Sequence, residues 1–199
     1  MFDKATELNA DIHELIAKRW SGVAFDRERQ VDPAALERLV EAARWAPSCF
    51  NEQPARLLVG NRHTHPACWQ GIFDSLVEKN QQWCEAVPVL MAVIGKRVFT
   101  HNNAANPWFE YDCGAAALSA CLQARHDGLM THQMAGFNPE QLRQTFAIPE
   151  DYKAVAIMAI GYQLAEAEIP ESLASRELAP RQRKPSRELA SFGSTEGLW

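Results

Sequence analysis

No stretch of this 199-residue chain approaches the roughly 20 consecutive apolar residues needed to cross a bilayer, so the sequence argues against a membrane-spanning protein. Positive charge is also short. Twenty Lys and Arg stand against 25 Asp and Glu, a net charge of −5, and general nucleic-acid binding needs the opposite balance. None of the five cysteines (Cys49, Cys68, Cys84, Cys113, Cys121) falls in a CxxC pair and their number is odd, so they read as reduced thiols, the expectation for a cytoplasmic protein. No GxGxxG follows a strand and no GxxxxGK[ST] occurs, which removes the dinucleotide and nucleoside-triphosphate fingerprints. The opening MFDKATELNADIHEL lacks the apolar core of a secretory leader. There is no internal repeat and no low-complexity segment. His63, His65 and Cys68 could supply three metal ligands, but a fourth is absent at useful spacing, and loop histidines beside a buried thiol fit them better.

Apolar residues make up 47% of the chain, enough for burial to offset chain entropy, and the length predicts a single domain over residues 1–199. Ile12, Leu15 and Ile16 follow helical spacing and predict a first helix over 8–19. Residues 21–25 leave it as loop or short strand. Asp32 before Pro33 is an N-cap with a first-turn proline, opening a helix through Leu36, Leu39, Val40 and Ala43 that Pro47 stops. Residues 56–60 predict a short strand and 65–83 one or two helices. Residues 87–94 are apolar at both parities, the pattern of a strand buried on both faces, and 154–162 repeat it. Between these lie a loop at 102–107 and a small-residue helix over 111–126 that other elements can approach closely, ended by Gly128. A further helix runs from Pro139 to Phe146 with Asn138 as its cap. Beyond Gln163 the composition turns charged and proline-punctuated. Residues from about 163 to 199 are therefore expected as an extended arm that does not fold back on its own chain alone but packs on a partner. The irregular succession of strands and helices predicts an α+β fold, a small sheet covered by helices, rather than a doubly wound one.

Three separated places combine small polar side chains, backbone donors and fixed positive charge: IAKRWSGVAF, APSCFNEQP (residues 46–54) and PRQRKP. Together with an acid–Gly–Ala helix, a GF turn and a GY strand end, in this order over roughly residues 8–190, they resemble the nitroreductase family of flavin mononucleotide (FMN) enzymes. The resemblance implies a small, central, mostly antiparallel sheet flanked by helices, a homodimer with FMN at the subunit seam, and a C-terminal segment exchanged between subunits.

Carried over residue by residue, Arg19 and Ser21, with Trp20 between them, match the early phosphate and ribityl contacts, where a guanidinium fork suits a dianion. Read alone, Arg19 is equally a helix-end arginine offsetting the helix dipole. Arg181 and Arg183 match the late basic pair that closes over the phosphate, with Lys184 taking the place of Arg183 if the register slips by one. Ser48, Asn51 and Gln53 match a loop that the neighbouring subunit supplies to the ribityl chain and the pyrimidine edge, whose donors and acceptors a carboxamide complements. Read alone, the same loop is a helix-ending turn. HQMAGF matches the stretch behind the ring, with Gln133, Met134, Ala135 and Gly136 as contacts and the amides of Ala135 and Gly136 directed at flavin N5. Asn80 lies where some relatives place a ring-edge contact. This chain departs from the family pattern at Val23, where many relatives carry a charge, at Ala55, where a tryptophan is frequent, and at Ala135, where several carry a glutamate.

The resemblance implies an oxidoreductase that uses NADH or NADPH to reduce small electron-poor acceptors such as nitroaromatics, quinones or enal-type compounds, the flavin supplying the reacting atom. Two rivals stand beside it. One is a flavin enzyme of the same fold with another reaction, such as flavin ring cleavage or reductive dehalogenation. The other is a flavin-binding module without turnover.

Overall fold

A computed structural model describes residues 2–4 and 7–195. Four strands form one fully antiparallel sheet: β1 (Ala55–Asn61), β2 (Val89–Lys96), β3 (Met130–Met134) and β4 (Tyr152–Gly161), in the order β1-β2-β4-β3. Around it lie α1 (Glu14–Lys18), α2 (Pro33–Arg44), α3 (Pro66–Asp74), α4 (Glu78–Cys84), α5 (Phe109–His126), α6 (Pro139–Thr145) and α7 (Glu171–Glu177). The α+β expectation holds.

The two central strands explain why both their parities are apolar. Leu90, Ala92 and Ile94 of β2 and Ile157 and Ala159 of β4 face one core, with Trp69 and Ile72 of α3 and Trp83 of α4. Val89, Met91 and Val93 of β2 and Met158 and Ile160 of β4 face a second core, with Leu39 of α2 and Ala116, Ala120 and Ala124 of α5. The alanines keep α5 thin on its buried side, so α2 and the sheet both come close to it. Asp32 caps α2 by accepting from Ala34 N, and Asn138 caps α6 by accepting from Glu140 N and Gln141 N, as the sequence predicts.

The 65–83 stretch takes the two-helix form, α3 and α4, and Leu76 between them bridges to Phe137. Three departures from the expectations have identifiable causes. The first helix shrinks to five residues because His13 caps it, its Nδ1 accepting from Leu15 N; Ile12 and Ile16 are left exposed. Strand β3 had no apolar run to reveal it, since its centre is His132 and Gln133. The third concerns the arm. Residues 163–181 dock on their own chain: Leu164 N donates to Ala24 O, and Arg181 donates to Ala17 O and Arg19 O. Helix α7 escaped notice because its anchor is a charged residue. The Glu177 carboxylate is fully buried and accepts from Val23 N (2.5 Å), Ala24 N (3.1 Å) and Gln163 Nε2 (3.1 Å). Further on, Leu189 and Phe192 are exposed, and residues 196–199, including Trp199, lie outside the described residues.

Candidate functional site

The sequence-predicted residues gather at two corners of the sheet. At the first, the chain leaves β3 through a tight turn at 135–137. Gly136 O accepts from Val77 N (3.1 Å) and Asn80 Nδ2 (2.9 Å). A Cβ on Gly136 would lie 2.7 Å from that same Asn80 nitrogen, so a side chain there would push the carboxamide out of its bond. With the carbonyl committed to α4, the N–H groups of Ala135 and Gly136 are left without a protein acceptor among the described residues. They border an open groove of about 530 Å³ whose other walls include Lys79, Asn80, His132, Gln133 and Arg176. This donor set suits a flat, acceptor-rich ring.

His132 ties the groove to the early basic motif. Its Nδ1 lies 2.9 Å from Gly22 O; because a carbonyl only accepts, Nδ1 carries the proton and Nε2 keeps its lone pair. Burial lowers the His132 pKa, opposed by the bond to Gly22 and assisted by the charges of Arg176 and Arg19, so the ring is neutral at pH 7. Its face packs on Trp83 with centroids 4.8 Å apart.

Just upstream, Arg19 Nη1 reaches Ser21 Oγ at 3.4 Å. Arg181 Nη1 and Nη2 close the end of α1 through Ala17 O (2.5 Å) and Arg19 O (3.0 Å). Burial lowers the Arg181 pKa, and the charges of Arg183, Arg19 and Arg125 add to the effect, so three further guanidiniums lie near it. Asp3 pairs with Arg125 at 2.6 Å. A cationic neighbourhood of this kind attracts an anion.

Not every predicted contact has a free side chain. Trp20 is buried against Phe2, with the Lys4 ammonium 4.1 Å from its ring, and Met134 is buried with its sulfur 3.7 Å from Cys84 Sγ; both retain only their backbones for a ligand. Val23 is a core residue whose N–H is taken by Glu177, so a charged side chain has no place there. Arg183 is exposed and among the described residues donates only to the adjacent Gln182 O, while Lys184 leans toward Glu188 at 3.6 Å.

The second corner is the Ser48–Gln53 loop. Ser48 Oγ accepts from Gln53 N (2.9 Å), and Gln53 Nε2 donates to Asn51 O (3.2 Å). Phe50 (φ 53°), Asn51 (φ 55°) and Gln53 (φ 52°) all adopt left-handed backbone, a conformation that disfavours side-chain-bearing residues. Buried Asp112, at the start of α5, pins the loop by accepting from Cys49 N at 3.1 Å. The Phe50 ring is 83% exposed, braced at its edge by Phe99 and His101.

The two corners are diagonal. Ala55, just after the loop, pairs with Gly95 and through it with Lys153, whereas Met134, where β3 enters the turn, pairs with Ile157. That amounts to about 13 Å along the strands and about 14 Å across them, a separation of about 19 Å. Within one chain the two corners line separate pockets. Two buried thiols are chemically quiet: burial, with Asp112 and Glu110 adding to it, pushes the Cys113 thiol up to about 12, and burial raises that of Cys84 still more.

Against this geometry, the sequence model of the nitroreductase family matches residues 16–162, most of the chain and both corners. The protein belongs to the nitroreductase family. A solved structure described as an oxidoreductase containing FMN superposes with a TM-score of 0.88 at 28% identity, covering 98% of each chain. A nitroreductase family protein of Clostridium difficile shares the fold, with a TM-score of 0.71 at 24% identity over 93% of this chain and 99% of that one. An uncharacterized 15.4 kDa protein of Mycolicibacterium smegmatis is 33% identical over 82 residues, 41% of this chain, so the match spans only about half (55%) of that relative. Within the family frame, two residues of the first corner, Glu177 and Arg176, were not singled out from sequence, and the sequence marks His132 only as the start of HQMAGF and as a possible partner for Cys113. A buried glutamate in a polar arm and a histidine in a strand without apolar alternation carry no periodic signal. The family resemblance already covered the segment in which His132 lies.

Proposed function

We propose that the protein is a homodimeric oxidoreductase that holds FMN between two copies of the chain and carries reducing equivalents from NADH or NADPH to small electron-poor acceptors such as nitroaromatics, quinones or enal-type compounds. The observation that carries this reading is the diagonal split of one donor set over two corners. A two-fold axis that sets the Ser48–Gln53 loop of one copy against the groove of the other completes two equivalent sites at once.

The residues fit the cofactor. Arg19, Ser21, Arg181 and Arg183 would hold the phosphate, where the charges of Arg183, Arg19 and Arg125 already act on Arg181. The unpartnered amides of Ala135 and Gly136 and the Asn80 carboxamide would hold the ring, with Gln133 and the backbones of Trp20 and Met134 beside them. Ser48, Asn51 and Gln53 would arrive from the second copy. FMN supplies the hydride-accepting atom, which is why no acid–base pair is needed from the protein. Exposed apolar side chains give the second copy a place to pack: Tyr111 and Leu118 on α5, Val40 on α2 and Ile16 on α1. So does a groove of about 290 Å³ whose walls include Val40, Ala43, Pro47, Leu57 and Ala116. The exposed Leu189 and Phe192 would then cover the neighbouring copy, as an exchanged arm does.

The test is the visible spectrum of the purified protein, followed by oxidation of NADH and NADPH with a nitroaromatic or quinone acceptor. A bound flavin that turns over with either nicotinamide is the expected result. Flavin bound without turnover would make the protein a binding module, and failure to take up added FMN would contradict the reading altogether.

A further inference from the structure

We infer that Arg176 biases the bound flavin toward its reduced form; this rests on the FMN reading above. Helix α7 presents two neighbouring residues in different ways. Glu177 is buried and fixed by three donors, which immobilises the helix without help from Arg176. Arg176 lies on the exposed side and lines the groove bordered by Asn80 and the free amides of Ala135 and Gly136. Its guanidinium carbon is 5.6 Å from the Trp83 ring centroid, at the outer limit of a cation–π contact, so stacking holds it only weakly. Among the described residues no carboxylate pairs with it, and the groove lining contains no acid at all, only Lys79 as a second cation. Its field reaches the groove floor, where it helps lower the His132 pKa.

A charge held in place by a neighbour's buried anchor, rather than by a counter-ion, is available to whatever charge appears in the groove. Hydride transfer creates one. A neutral flavin ring that receives a hydride from a nicotinamide carries a net charge of −1, and the nicotinamide leaves oxidised and cationic. Arg176 stabilises the ring after that transfer more than before it.

The experiment uses the FMN-loaded dimer and compares wild type with Arg176→Gln, Arg176→Lys and Lys79→Gln. Midpoint potentials are measured against a reference dye and oxidised-FMN affinities by fluorescence titration. Arg176→Gln is expected to weaken binding of reduced relative to oxidised flavin about tenfold, a midpoint about 30 mV more negative. Arg176→Lys keeps the charge and restores the ratio, and Lys79→Gln moves it less. An unchanged midpoint in Arg176→Gln with flavin still bound would overturn the role of Arg176 alone, as would an equal shift in Lys79→Gln. A wild-type protein that takes up no FMN would overturn the parent reading with it.

Discussion

The groove corner and the loop corner are built on opposite principles. At the groove, polar groups that position the site are satisfied within the chain: buried Glu177 by three donors, half-buried Gly136 O by two, half-buried His132 by Gly22 O. At the loop, three side-chain-bearing residues sit in left-handed backbone, and Phe50 is displayed almost fully to solvent. Each such residue costs on the order of 1 kcal/mol or more, with asparagine tolerating it best. A corner that is strained and exposed in its own chain, opposite one with free donors, is shaped for a contact its own chain does not contain.

The contrast can be broken most forcefully at the groove. Glu177→Ala strands two backbone N–H groups and the Gln163 amide in the core, and is expected to cost about 3 kcal/mol or more in urea unfolding. A loss near zero would mean that water replaces the carboxylate and that the arm is not anchored there. Arg181→Ala should follow, weakening FMN retention by about 1.5–3 kcal/mol in equilibrium dialysis while far-ultraviolet circular dichroism stays the same. Exposed Arg183 should matter less, and unchanged retention in both variants would remove the late basic pair from the phosphate site.

At the loop the sign reverses. Phe50→Gly relieves a left-handed φ of 53° and gives up little surface buried within its own chain, so the unfolding free energy of the chain should hold or rise by up to about 1 kcal/mol. A clear loss at a protein concentration low enough to dissociate any dimer would show that Phe50 packs within its own chain. The smallest effect concerns pH. The folded state holds His132 below its ordinary value of 6.5, so the unfolded chain binds the proton first as pH falls. The stability this contributes is complete above about pH 6.5 and drains away through the window down to the lowered folded value; His132→Gln should flatten that slope. An identical slope in the variant would assign it to other groups.

Sequence revealed the parts of this molecule whose signals are local. Asp32–Pro33 and Asn138–Pro139 announced their helices, the double-parity apolar runs announced β2 and β4, and the order of short motifs announced the family. What stayed hidden depends on partners far along the chain. Strand β3 is recognisable only by its pairing with β4. Helix α7 is held by a carboxylate reaching residues 153 and 154 positions away. Residues 163–181 of the arm expected to pack on a partner dock on their own chain through polar pairing, which leaves no periodicity in the sequence. The loop at 48–53 was legible as a motif, but its strain and its distance from the groove emerge only from the backbone and the sheet register.

Mixed dimers test most directly whether one flavin is gripped by two chains. A loop-deficient chain (Asn51→Ala, Gln53→Ala) and a groove-deficient chain (Arg19→Ala, Arg181→Ala), each flavin-free as a homodimer, are co-expressed and the heterodimer is isolated with two affinity tags. If loop and groove meet across the seam, one site in the heterodimer has both halves intact, and half a flavin per chain returns. If each chain builds its site alone, every site carries a defect, and the heterodimer stays colourless.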